Sequence, residues 1–150
     1  MRVIRPPLRG SQQGFTLLEI MVVVVIIGLL FEDVFRNRDW LRIAIASVAA
    51  IDLGLLVLEP AVLWYVGLSG VLHGFVAAGA LALLMRRETL GAVLALGLAA
   101  KLVFEQIVGP VPLTAQSVGG PVVVAAHLYG ALGALLAEAA AQVALRRSQV

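Results

Sequence analysis

Five long apolar segments, separated by short polar connections, constrain the fold of this chain more than any other feature. They span residues 15–31, 41–58, 62–85, 89–108 and 122–145. A helix needs about 17 to 25 residues to cross a hydrocarbon core of ~30 Å, so each segment is long enough. Hydrophobic residues make up 61% of the 150 residues and charged residues only 13%, which is too apolar for a soluble domain. We therefore expect an all-α membrane protein, a single bundle of about five transmembrane helices.

The connections between the segments exclude several classes of protein. They read EDVFRNRDW, EPA, RRE and GPVPLTAQSVGGP, and none is long enough to form a soluble domain. The chain has no cysteine, which excludes disulfides and thiolate metal sites. Its net charge of +2 comes from arginines at segment ends, a placement that indicates membrane topology rather than nucleic-acid binding. We expect the lipid bilayer as the surroundings, no nucleic-acid partner, no metal and no cofactor.

The arginines predict which side of the membrane each connection faces. Those before and after the first segment give conflicting predictions for that segment. One group follows the first, third and fifth segments and would lie on one side of the membrane: Arg36, Arg38, Arg42, Arg86, Arg87, Arg146 and Arg147. The positive-inside rule makes that side, with the C-terminus, cytoplasmic. Arg2, Arg5 and Arg9 precede the first segment, and five crossings would place them on the opposite side. Either the first segment does not cross in the ordinary way, or it is foreign to the four that follow.

The N-terminal stretch RGSQQGFTLLEIMVVVVIIGLL, at about residues 9–30, resembles a type IV prepilin signal. It has a basic leader, Gly14 before Phe15, and Glu19 in the apolar segment that follows. The resemblance implies that a prepilin peptidase cuts after Gly14 and methylates the new N-terminus, and that Glu19 compensates the amine of a neighbouring subunit. An ordinary basic and apolar membrane anchor with a chance glutamate is the alternative.

Ser69 and His127 are two polar residues of the apolar segments that we expect to meet. Their segments both begin on the outer side, and the two residues lie about six or seven positions in, at depths of roughly 9 to 10 Å. Small residues at four-residue spacing let these two helices approach closely: Gly70, Gly74 and Ala78 on the third segment, and Ala126, Gly130 and Ala134 on the fifth. A serine becomes nucleophilic when a neutral imidazole takes its proton, so the pair predicts a catalytic dyad.

Three stretches resemble the rhomboid intramembrane serine proteases, and closely the rhombosortase branch: WYVGLSGVLHGFVAAGAL, KLVFEQIVGP and GGPVVVAAHLYGALGALL. The resemblance covers about residues 31–145 and implies a rhomboid-like helical bundle. It implies that Ser69 is the nucleophile and His127 the base, and that the rest of the glycine-flanked motif supports the oxyanion or the site: Gly67, Gly70, His73 and Gly74.

The same resemblance implies a substrate and a place in the cell. Rhombosortases are thought to cleave secreted proteins near a Gly-Gly dipeptide ahead of a C-terminal membrane tail, at the periplasmic side of the bacterial inner (plasma) membrane. The family has six core helices, and an upstream histidine and asparagine help to bind the oxyanion. Here His73 is the first histidine, and Asn37, the only asparagine, falls in a predicted cytoplasmic loop. We therefore expect a prepilin-like leader and first helix over residues 1–30, followed by a rhombosortase-like membrane domain over 31–150 that is N-terminally incomplete and impaired.

Other polar residues of the segments have more ordinary interpretations. His73 is expected to be a buried hydrogen-bonding residue, because His127 is the better base. Lys101 and Glu105 lie four residues apart on one helix face and should neutralise each other. With Gln106 they lie toward the outer end of their segment, where a substrate tail could contact them. Gln106 is also the one candidate for a substitute oxyanion donor.

Two aromatic residues and one aspartate of the apolar segments remain to be interpreted. Trp64 and Tyr129 are typical of packing or interfacial anchors. Asp52 has no partner evident from the sequence.

Two functions compete with the protease: a type IV pilin-like assembly component anchored by the bundle, and a catalytically inactive rhomboid-like protein that binds membrane tails without cutting them.

Overall fold

Helices form the described part of the chain because apolar surroundings leave the backbone N–H and C=O groups no partners but each other. The computed structural model describes residues 17–63, 65, 67–110 and 123–147. Its helices are α1 (Leu17–Leu30), α2 (Asn37–Leu58), α3 (Ser69–Met85), α4 (Thr89–Val108) and α5 (Val124–Arg147). For these residues the predicted all-α class is confirmed.

The helices differ in their capacity to cross a membrane. Three of them, α2, α4 and α5, are long and apolar enough to do so. The other two are apolar but shorter, with 17 residues in α3 and 14 in α1. At a rise of 1.5 Å per residue they cover about 26 and about 21 Å, against a core of ~30 Å. The expectation of about five transmembrane helices is therefore supported for three of the five by length and composition.

The third helix begins later than the sequence predicted. The chain is apolar from residue 62, yet the described residues between 59 and 68 are not helical. Pro60 and Gly67, which disfavour helix, bracket this stretch. Ser69 is thus the first residue of α3, and the predicted start of this helix at about residue 62 is wrong. Since α5 begins at Val124, His127 is only its fourth residue.

The second helix begins earlier than predicted, at Asn37 rather than at residue 41. Asp39 accounts for the difference, because its Oδ2 accepts a hydrogen bond of 3.0 Å from the N–H of Arg36. Its other oxygen accepts from Arg42 at 2.9 Å. A carboxylate in the first turn satisfies a free N–H and complements the helix dipole. Asn37, expected in a loop, is the first residue of this helix.

The two helices that carry Ser69 and His127 run parallel and touch along their glycines. A Cβ atom added to Gly70 would lie 2.7 Å from the Ala126 carbonyl oxygen, and one added to Gly74 would lie 2.9 Å from that of Gly130. One added to Gly130 would collide with the carbonyl of Gly70. Ala134 and Ala78 are buried in one cluster further along. The small-residue stripes therefore form the α3–α5 contact, and helix α2 lies antiparallel across both.

The arginine-bearing connections gather at one end of the bundle. Arg86 donates to the carbonyl oxygens of Asp33 and Val34, at 3.3 Å each, which places the 31–36 connection beside the turn between α3 and α4. Arg42 of α2 pairs with Glu138 of α5 at 2.6 Å. We call this the basic end. The opposite end, where α3 and α5 begin, is the site end.

Candidate active site

Ser69 occupies the first position of α3 and its side chain is exposed. The residue before it, Leu68, offers no side-chain cap to the helix. The first N–H groups of a helix have no partner within the helix and carry a partial positive charge. An exposed hydroxyl therefore lies next to backbone donors that can stabilise a developing anion.

His127 brings a base to this hydroxyl. Its Nε2 lies 3.0 Å from the Oγ of Ser69, and the residue is only 4% exposed. The approach depends on Gly70 and Gly130, because a side chain at either position would push α3 and α5 apart at this level. The structure thus brings together the two residues that the sequence predicts as a dyad, although both lie nearer the helix starts than expected.

Glu105 of α4 reaches the other side of the same imidazole. Its Oε2 lies 2.9 Å from Nδ1 of His127, and its Oε1 accepts from Nζ of Lys101 at 2.6 Å. Glu105 is 1% exposed. The sequence paired it with Lys101 but missed its contact with His127. The signal was present, because Glu105 lies one turn before the end of α4 and His127 lies one turn after the start of α5.

His73 contacts the pair without replacing the base. Its Nδ1 hydrogen-bonds the Ser69 carbonyl oxygen at 2.6 Å, one turn back in α3. Its ring stacks on that of His127, with centroids 4.2 Å apart and planes 11° apart. It is partly buried. His73 therefore covers a face of the His127 imidazole and is hydrogen-bonded to the backbone of Ser69.

The remaining candidates lie around this centre. Gln106 donates to the Val124 carbonyl at 3.4 Å, which links α4 to the start of α5. Gly67 is exposed beside the ring of Tyr65. Tyr129 packs against Gly54 of α2.

Several residues that the sequence analysis named do not take part in these contacts. Asp52 is exposed on α2 and forms no ion pair with the described residues. Gly14, Phe15, Trp64 and residues 111–122 lie outside the described part of the chain, and Glu19 lies in α1.

One group of side chains has the composition of a metal site. His73, Glu105 and His127 each offer a ligand atom, and these atoms lie within 4.8 Å of one another. Both oxygens of Glu105 and both ring nitrogens of His127 already have partners. Lys101 also supplies a positive charge beside the carboxylate. A cation would have to break these bonds and lie close to an ammonium group, so the arrangement suits proton transfer better than metal binding.

The chain is similar to a known protein family in its N-terminal part. The prokaryotic N-terminal methylation motif matches residues 9–31, which confirms the predicted prepilin-like signal. No curated protein and no solved structure matches the chain.

Proposed function

We propose that this chain is an intramembrane serine endopeptidase of the rhombosortase type. The observation that carries the proposal is the 3.0 Å contact between Ser69 Oγ and His127 Nε2. The hydroxyl is exposed while the base is buried, so a substrate can reach the nucleophile and water is kept from most of the imidazole. This is the arrangement that general-base activation of a serine requires.

The reaction follows from these atoms. Ser69 Oγ attacks a peptide carbonyl carbon, and a C–O bond forms as the hydroxyl proton passes to Nε2 of His127. The carbonyl oxygen becomes an anion next to the N–H groups at the start of α3. The C–N bond then breaks, and the leaving amine takes the proton from Nε2. Water or another amine resolves the acyl-enzyme.

The site end also suits the proposed substrate. Ser69 and His127 lie in the first turns of α3 and α5, near the level where a membrane tail leaves the bilayer. Together with the rhombosortase-like motifs, this supports cleavage of secreted proteins beside a Gly-Gly dipeptide that precedes a C-terminal tail. The arginines at the basic end favour a site on the periplasmic side of a bacterial inner membrane.

A fluorophosphonate probe tests the proposal on the full chain in membranes. We expect labelling at Ser69, located by peptide mass spectrometry, and a decrease of about 10²-fold or more in His127→Ala. The matched control is Ser47→Ala, since Ser47 is a fully buried serine of the same bundle whose Oγ has no hydrogen-bond partner among the described residues. This variant should keep its labelling. Absence of label at Ser69, or equal labelling of His127→Ala, would contradict the protease.

The methylation motif favours a second candidate, a pilin-like component processed by a prepilin peptidase. In that case the mature chain would begin at a methylated Phe15, and Ser69→Ala would leave its assembly unchanged. Mass spectrometry of the purified protein's N-terminus measures the processing. A methylated Phe15 together with an unlabelled Ser69 would favour this candidate over the protease.

A further inference from the structure

We propose that Glu105 is a positioning residue that turns the Ser69–His127 dyad into a three-residue array, with Lys101 as its counter-ion. This inference rests on the proposed function. The array runs from α3 through α5 to α4: Ser69 Oγ to Nε2 of His127 at 3.0 Å, then Nδ1 to Oε2 of Glu105 at 2.9 Å. Three helices therefore contribute one group each.

The carboxylate decides which nitrogen of His127 carries the proton. A carboxylate only accepts hydrogen bonds, so Nδ1 must donate to Oε2 of Glu105. Nε2 is then unprotonated and faces the serine hydroxyl, which is the tautomer that a base needs. Without this contact the two tautomers compete, and only one of them can accept the proton of Ser69.

The carboxylate also acts when the imidazole becomes charged. His127 gains a proton at Nε2 during attack, and the positive ring lies against Oε2 of Glu105 in an almost dry position. Charge interactions are stronger in such a position than in water. The proton on Nδ1 stays on the ring throughout, so Glu105 orients and stabilises without taking part in the transfer.

Lys101 lowers the free-energy cost of burying the Glu105 carboxylate in a membrane. A lone carboxylate within a membrane helix is costly, and the ammonium of Lys101 at 2.6 Å from Oε1 supplies the opposite charge. The lysine uses one oxygen and leaves the other for the imidazole. An ion pair that served only to neutralise α4 would not need its second oxygen directed at a histidine of another helix.

A second buried glutamate of the bundle provides a matched control. Glu138 is 3% exposed and is bonded by Arg42 at 2.6 Å and by Gln142 at 2.7 Å, all toward the basic end. Glu105→Gln and Glu138→Gln thus make the same chemical change in two buried ion pairs of the same bundle. Only the first pair touches His127.

The first experiment compares rates of probe labelling for the full chain in membranes. We expect Glu105→Gln to lower the second-order rate constant by about 10²- to 10⁴-fold, and Glu105→Asp to restore part of it. Glu138→Gln should stay within about tenfold of the wild type. Equal losses in both glutamine variants would assign Glu105 a merely structural role and overturn the inference. If the wild type itself is unlabelled, the proposed function fails instead.

The second experiment reads the tautomer directly. The chain has two histidines, so imidazole nitrogen NMR with isotope-labelled histidine gives two ring systems, which His73→Phe assigns. We expect His127 to be protonated at Nδ1 in the wild type and in Glu138→Gln, and to lose this preference in Glu105→Gln. A His127 tautomer unchanged by Glu105→Gln would contradict the positioning role even if labelling fell.

Discussion

At the scale of single residues, the two histidines differ in what their ring nitrogens contact. His127 offers Nε2 to the serine hydroxyl, whereas His73 is bonded through Nδ1 to the serine's carbonyl oxygen. Only His127 can take the hydroxyl proton directly. The stacked ring of His73 instead limits the positions that the imidazole of His127 can adopt.

Phenylalanine substitutions separate these roles. His73→Phe keeps a stacking ring and loses one hydrogen bond, a contribution of about 0.5–1.5 kcal/mol, so probe labelling should fall by roughly tenfold at most. His127→Phe loses the base and should fall by about 10²-fold or more. Labelling kinetics of the two variants measure the contrast. A greater loss in His73→Phe would make His73 the base and reverse the assignment.

The pair of Lys101 and Glu105 gives a stability prediction at the same scale. Lys101→Met leaves a carboxylate that is 1% exposed without its counter-ion, so we expect a lower thermal midpoint than in the wild type. The double variant Lys101→Met with Glu105→Leu removes both charges and should recover part of the loss. Thermal unfolding in detergent measures both. A double variant less stable than Lys101→Met would show that the uncompensated charge is not the cause.

The contact of Ser69 with His127 was predictable because both lie near the outer ends of their apolar segments and small residues on both segments allow close approach. The role of Glu105 was not predicted. An i,i+4 lysine explains a membrane glutamate within one helix, so the position of Glu105 at the same end of the bundle as His127 did not by itself require a third partner. The contact with His127 depends on how closely α4 approaches α5, which residue spacing does not reveal.

At the scale of helices, the α3–α5 contact sets the distance between Ser69 and His127, because its glycines lie within one turn of these two residues. Gly70 is adjacent to Ser69, and Gly130 lies three residues after His127. A Cβ on Gly130 would collide with the carbonyl oxygen of Gly70. Backbone cannot move aside as a flexible side chain can, so the two helices must separate.

Two glycine-to-alanine variants test this contact. Gly130→Ala should lower the thermal midpoint, as overpacking costs about 1–3 kcal/mol, and should slow labelling by separating Ser69 from His127. Gly97→Ala in α4 is the matched control, because a Cβ there lies within 4 Å of no atom in the part of the chain that the structure describes. It should keep full labelling and gain up to about 1 kcal/mol of helix stability. Equal behaviour of the two variants would show that close packing of α3 on α5 is not needed.

Hydropathy predicted that these helices exist but not where two of them begin. The residues after Pro60 are apolar enough for a membrane helix, yet α3 starts only at Ser69. Apolar composition reports burial or lipid contact and does not distinguish a helix from an apolar loop. Conversely, α2 extends into a polar connection because Asp39 caps it, a local hydrogen bond that an average over many residues hides.

At the scale of the whole molecule, the arginines and the candidate site lie at opposite ends of the bundle. The basic end holds the arginines at the start of α2 and at the ends of α3 and α5, and the site end holds Ser69, His127 and Glu105. α1 lies within the methylation motif, which matches residues 9–31. It is joined to the bundle through Phe31, which is fully buried against Gly79 of α3.

Because the two ends of the bundle lie apart, the side of the membrane that each end faces can be measured separately. This measurement tests the proposed substrate class. The chain has no native cysteine, so single cysteines report their own positions without background. Glu88 lies in the turn at the basic end and Pro110 follows α4 at the site end, and both are exposed. By the positive-inside rule, Glu88→Cys should face the cytoplasm and Pro110→Cys the exterior.

A membrane-impermeant maleimide applied to intact spheroplasts should therefore label Pro110→Cys at once, and Glu88→Cys only after permeabilisation. Both substitutions replace exposed side chains, which usually change stability by no more than about 0.5 kcal/mol, so labelling reports topology rather than unfolding. The cysteine-free parent should stay unlabelled throughout. The opposite pattern would place Ser69 and His127 at the cytoplasmic face, where a secreted protein's tail does not emerge. That result would leave the contacts among Ser69, His127 and Glu105 unaffected, but the proposed substrate class would have to be abandoned.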